Sequence, residues 1–189
     1  MDPLEALDRA AVAFETRLKA VKLSQWNAAT PYGDWTVRRL VGHVVAGNRM
    51  AVLLLAGATA ERAAAVLDED PLGTDPVRAF LASAAEQAAA FAEPGALERT
   101  CHHVAGDLSG ARLLGFRVTD LALHAWDLAR AIKANEELDP ELVREIWGAL
   151  APMAPVIAQT GYFGSGPSGL LDAEAPLQTR LLDLCGRRP

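Results

Sequence analysis

A chain of 189 residues that is 51% hydrophobic can bury one good core, and its formal net charge of -6, with no run of Lys or Arg, speaks against a nucleic-acid or anionic-membrane surface. The two cysteines, Cys101 and Cys185, lie too far apart for a secreted disulfide framework, and every apolar stretch is broken by Gly, Asn or charge before it reaches membrane-spanning length. Met1-Asp2-Pro3-Leu4-Glu5 lacks the basic start and apolar run of a signal peptide, so the expectation is one domain over 1–189 in a cytoplasmic protein.

Residues 3 to 22 carry Leu4, Leu7, Ala11, Phe14, Leu18 and Val21 at alternating steps of three and four, the period of an amphipathic helix. Residues 23 to 35 include Pro31, Gly33 and Asp34 and read as a connection, with Trp26 and Trp35 packing over a bundle end. Thr36 caps a second helix that runs to about Ala56 and stops at Gly57. On it Thr36, His43, Gly47, Met50 and Leu54 share a face, with Arg39 and Leu40 at the edges. Glycine within a helix costs roughly 1 kcal/mol against Ala. Gly47, one turn from His43, therefore makes room for a neighbouring backbone, for close helix packing or for a ligand.

Residues 58 to 74 begin as a short Ala-rich helical piece and end in the acidic turn Asp68-Glu69-Asp70-Pro71-Leu72-Gly73. Asp75-Pro76 opens a third helix with Val77, Phe80, Leu81, Ala84, Ala88 and Phe91 inward, and Pro94-Gly95 ends it. From Ala96 to Gly110 the pattern is extended rather than periodic. Ser109 then caps a long helix to about Asn135, and Asp139-Pro140 starts a fifth carrying Leu142, Val143, Ile146, Trp147 and Leu150. Gly161 to Gly169, with Tyr162 and Phe163, is a Gly-rich loop without the Lys or the strand-to-helix setting of a phosphate loop. A last short helix spans about Leu177 to Cys185 and ends at Gly186, so the predicted fold is all-α.

The long helix puts polar residues where a core-facing stripe belongs. Asp120 and His124 sit one turn apart with Asp127 beside them, flanked by Leu114, Leu121 and Leu128 and by Phe116 and Leu123. A buried carboxylate and imidazole need compensation, from hydrogen bonds or from a cation. With His43 from another helix, Asp120 and His124 would offer a divalent ion two imidazoles and one carboxylate and leave a position open for water or substrate. A core histidine bonded to a core aspartate explains the same residues. Asp127 is expected to orient a ligand imidazole or pair with an arginine such as Arg39, Arg49 or Arg117, and Arg39 or Arg117 to bind an anionic part of a substrate. Cys101, His102 and His103 form a second cluster, in which alternation lets at most one histidine face the bundle. No G-x-S-x-G elbow and no strand followed by G-x-G-x-x-G is present.

The segments Asp34-Trp35-Thr36-Val37-Arg38-Arg39-Leu40-Val41-Gly42-His43-Val44-Val45 and Asp120-Leu121-Ala122-Leu123-His124-Ala125-Trp126-Asp127-Leu128-Ala129, in this order, resemble the DinB-like metal-binding superfamily. Within it the chain is similar to the metal-binding domain of mycothiol-dependent maleylpyruvate isomerase and to small actinobacterial relatives. The resemblance implies a DinB-like four-helix bundle, here with additional short C-terminal helices. It implies a divalent metal, commonly zinc, on His43, Asp120 and His124, and mycothiol as a cosubstrate that meets an electrophilic small molecule in a transferase or isomerase reaction. The isomerase carries Glu where this chain has Asp120, and it continues into a separate C-terminal domain. A non-catalytic metal-binding or small-ligand-binding bundle, and a 2-His-1-carboxylate iron enzyme, stay open beside this reading. A homodimer stays open as the assembly.

Overall fold

The computed structural model describes residues 1–160, 163 and 166–189. The Gly-rich loop around Tyr162 therefore lies in part outside the described residues. Helix α1 (Pro3–Lys19) starts where the Asp2 carboxylate accepts from the N–H groups of Leu4 and Glu5, with Pro3 at the first helical position. Helix α2 (Val37–Leu55) is capped by the Thr36 hydroxyl, which accepts from the Arg39 N–H, and Gly57 follows it at φ 82°. After the five-residue α3 (Ala60–Ala64), α4 (Pro76–Ala92) begins at the Asp75 cap. Strands β1 (Thr100–His103) and β2 (Gly106–Ser109) precede α5 (Gly110–Ile132), which opens at the Ser109 cap. Helices α6 (Pro140–Leu150), α7 (Ala154–Thr160) and α8 (Leu177–Leu184) complete the described elements.

Four of these helices close into a bundle: α1 packs on α5 and α4, and α2 packs on α4 and α5. Phe14 and Phe80 meet at the centre with ring centroids 4.9 Å apart, and Trp126, Leu18, Leu113 and Leu121 are fully buried around them. Each such side chain contributes about 1.5–3 kcal/mol by leaving water. Helix α6 lies along α1 and α5 and packs against α8. Among the described residues no helix is long and apolar enough to cross a membrane.

Three details differ from the pattern read in the sequence. Leu81 and Ala88 of α4, expected inward, are exposed, and the face that packs inward carries Ser83 and Gln87 with Phe80 and Phe91. Ala96 to Gly110 is not one extended run, because Ala96–Glu98 forms a helical turn and the rest folds into an antiparallel hairpin pairing His103 with Gly106. Gly106, at φ 105°, permits the tight reversal, with Val104 and Ala105 at its tip. Helix α5 stops at Ile132 rather than near Asn135, since Lys133 turns left-handed at φ 59° and the Ala134 N–H returns to the Ala129 carbonyl.

Candidate metal centre

His43 lies two turns into α2 and faces α5, where Asp120 and His124 stand one turn apart. Asp120 Oδ1 is 3.4 Å from His43 Nε2 and 3.3 Å from His124 Nε2. One ligand atom from each residue lies within 4.8 Å of the other two, so the three could hold a metal ion. Their surroundings aim them. Arg117 Nη1 donates to Asp120 Oδ2 at 2.8 Å and so leaves Oδ1 as the oxygen turned to the histidines. That guanidinium is buried and also donates to Gln87, Asn48 and the Val44 carbonyl. Gly47 explains how it fits: a Cβ there would stand 2.4 Å from Arg117 Nη1. The room made by Gly47 is occupied by an arginine.

On the other side, His124 Nδ1 is 2.9 Å from Asp127 Oδ2, so in the neutral ring Nδ1–H donates to the carboxylate and Nε2 presents its lone pair. Asp127 is fully buried, and Arg187 grips both its oxygens, at 3.2 Å and 2.7 Å. Burial alone would raise the carboxyl of Asp120, but the charges of His124, Arg117 and His43 hold it well below the usual carboxylate range. Asp127 is likewise pushed up by burial and brought below its ordinary value by His124 and Arg187. Burial would lower His124, and Asp120 and Asp127 raise it instead. A hydrogen-bonded trio and a metal-ligand trio share this geometry. The donor set, with two imidazole nitrogens and one single-oxygen carboxylate, fits a divalent metal ion.

Residues 29 to 36 form the lid of this floor. An Ala29–Thr36 bridge and the Thr30 N–H to Trp35 carbonyl bond pinch the segment shut. That places the Trp35 ring 4.9 Å from His43 and 6.0 Å from His124, and the Tyr32 ring edge-on to His124 at 5.3 Å. Trp35, which packs against the core as the sequence suggests, is thus also a wall of the site. Above the trio opens a cavity of about 410 Å³, walled by Met50, Leu67, Val104, Phe116, Leu123 and Leu150.

Arg39 lies outside this cavity. Its guanidinium donates to Asp34 at 3.1 Å and rests 5.1 Å from the Trp35 ring centroid, in a neighbouring cleft that it lines with Arg38 and Asp70. Of the Cys101–His103 cluster, Cys101 is buried, His102 is exposed beside Asp107, and His103 lines the cavity. None of the three joins the trio. Sequence reasoning passed over Arg187, Asn48 and Gln87. The local spacing on the long helix carries no trace of these partners, which lie 60, 69 and 30 positions from the residues they hold.

Residues 7–129 match the family described as mycothiol maleylpyruvate isomerase N-terminal domain. Two uncharacterized proteins from two strains of Mycobacterium tuberculosis are each 39% identical over 146 residues, covering 77% of this chain and 75% of their own length. Among solved structures, mycothiol-dependent maleylpyruvate isomerase superposes with a TM-score of 0.60 at 17% identity. Its histidine-to-alanine variant superposes with a TM-score of 0.66 at 16% identity. Each comparison covers 88% of this chain and 72% of the other. The shared architecture is the all-α, DinB-like bundle.

Proposed function

Because the chain belongs to the mycothiol maleylpyruvate isomerase N-terminal domain family, we propose that it is a divalent-metal-dependent enzyme acting with a low-molecular-weight thiol, with zinc as the metal and a mycothiol-type thiol as cosubstrate. The observation that carries this reading is the convergence of His43, Asp120 and His124 at the floor of an apolar cavity. Among the described residues no fourth metal-ligating side chain joins them, which suits an open catalytic site rather than a closed structural one. A divalent ion there would supply the positive charge that turns a bound thiol into its thiolate near neutral pH.

The chain's own groups do the rest. Asp127 holds the His124 ring with Nε2 toward the site, and Arg117 holds Asp120 so that one oxygen faces inward. Tyr32 packs edge-on against the buried His124 and Trp35 against the half-buried His43, and the largely apolar cavity walls offer a seat for the second reactant. The protein's own sulfur is unsuited to the nucleophilic step: both cysteines are buried, and burial pushes Cys185 up to about 12 and Cys101 above its ordinary value. The thiol must come from solution.

The test is conjugation of a mycothiol-type thiol to chlorodinitrobenzene by the metal-loaded protein. The sulfur–carbon bond forms as the carbon–chlorine bond breaks, chloride leaves with the electron pair, and the thiol proton passes to solvent. Conjugation lost on chelation and in Asp120→Ala is the expected result. Fully loaded protein that conjugates nothing would leave a metal-binding bundle without catalysis.

A further inference from the structure

The name of the solved relatives points to a substrate with two carboxylates, yet among the described residues the cavity over the trio offers such a molecule no free cation. Two arginines reach its lining, and both are spent. Arg117 is 4% exposed and is committed to Asp120, Gln87, Asn48 and the Val44 carbonyl. Arg187 is 3% exposed, holds both oxygens of Asp127 and donates to the Cys185 carbonyl. No lysine lines the cavity among the described residues. Arg112 lies 5.9 Å over Phe116 but outside the lining.

Beyond the two histidines of the trio, the basic group of the lining is His103, and its geometry makes it a neutral donor. Its Nδ1 accepts the Ala105 N–H at 3.0 Å, so the ring hydrogen sits on Nε2. Burial lowers its pKa, which keeps the ring uncharged in neutral solution. A divalent ion on the trio would add positive charge, but in the proposed reaction its exchangeable position belongs to the thiol sulfur. A carboxylate entering this space would lose its water and gain no partner of opposite charge. An apolar molecule gains by the same transfer. A volume of about 410 Å³ lies within the usual range for small-molecule sites.

We propose that the cavity takes an uncharged, largely apolar compound with a hydrogen-bond acceptor for His103, and that it turns carboxylated compounds away. Calling that compound the electrophile rests on the thiol-transfer reading; the binding preference stands without it.

Equilibrium dialysis of the chelated, metal-free full chain against an unreactive pair, dinitrobenzene and dinitrobenzoate, reads the preference directly, because no open metal position is then present to take the carboxylate. The neutral compound should bind at least about tenfold more tightly, the scale of one uncompensated buried charge after partial relaxation. Val104 lines the cavity and is 59% exposed, so Val104→Arg places a cation at the rim without disturbing the core. It should raise dinitrobenzoate affinity by about tenfold and leave dinitrobenzene within about twofold. Equal or tighter binding of the carboxylate to the unaltered protein overturns the proposal, and so does a Val104→Arg protein that gains nothing for it. Dialysis needs neither thiol nor turnover. A protein that binds dinitrobenzene and fails to conjugate defeats the thiol-transfer reading alone, whereas one that conjugates but prefers the carboxylate defeats this proposal alone.

Discussion

Asp127 serves two partners with one carboxylate: it fixes the His124 ring through Nδ1 and neutralises the buried Arg187. Asp127→Ala should therefore fail twice. Leaving Arg187 buried and unpaired costs about 3–5 kcal/mol in denaturant unfolding, and losing the ring's orienting bond weakens metal binding by about 10–100-fold in a competitive chelator titration. Gly47→Ala separates propensity from packing. The helix gains about 1 kcal/mol, but the new Cβ would stand 2.4 Å from Arg117 Nη1, and that guanidinium is pinned by four partners. Net destabilisation and weaker metal binding are expected, and a more stable protein with unchanged affinity would mean that Arg117 moves freely.

The same residues set a pH dependence of opposite sign at the two ends. His124 is raised above its ordinary value, so its contribution to the metal-free fold is complete below about pH 6.5 and is lost as pH rises through the raised value. Asp120 and Asp127 are lowered, so theirs is present above about pH 4 and is lost as pH falls through the lowered values. Thermal unfolding of chelated protein should show both losses. Metal requires the neutral imidazole, so the melting temperature gained on loading should grow across the alkaline window.

Helix α8 delivers Arg187 to the site by the way it ends. The Arg187 N–H bonds the Leu182 carbonyl and the Gly186 N–H bonds the Asp183 carbonyl, a Schellman arrangement with Gly186 left-handed at φ 76°. A Cβ on Gly186 would also stand 2.1 Å from the Phe163 carbonyl oxygen. Gly186→Ala should cost about 1–3 kcal/mol from strain alone and loosen the Arg187 grip on Asp127. Faster hydrogen exchange around Leu181 to Arg187, with α1 and α4 unchanged, is the expected pattern. Gly186 was legible in the sequence as a helix stop, whereas its work in aiming Arg187 was not. A stop signal is local, and Arg187 and Asp127 lie 60 positions apart.

At the scale of the whole molecule, helical periods and caps marked the longer helices because each cap is a contact within four residues, as at Thr36, Asp75 and Ser109 in the bundle and Asp139 at α6. The polar face of the long helix was legible for the same reason, since Asp120 and His124 are one turn apart. The hairpin was missed because Gly106, not an apolar alternation, makes it. The roles of Trp35 and Arg187 depend on bundle closure, which no local pattern encodes. That closure brings α2 against α5, so a metal held between them would be coupled to folding: at free metal about a hundredfold above Kd, the fold should gain about 2.7 kcal/mol. The most direct test of the account is elemental analysis of untagged protein purified without added metal, alongside the His43→Ala and His124→Ala variants. One divalent ion per chain, lost in both variants while their helical circular dichroism is kept, is the predicted result; metal that is absent from the unaltered protein and cannot be loaded, or that persists at full stoichiometry in both variants, would contradict it.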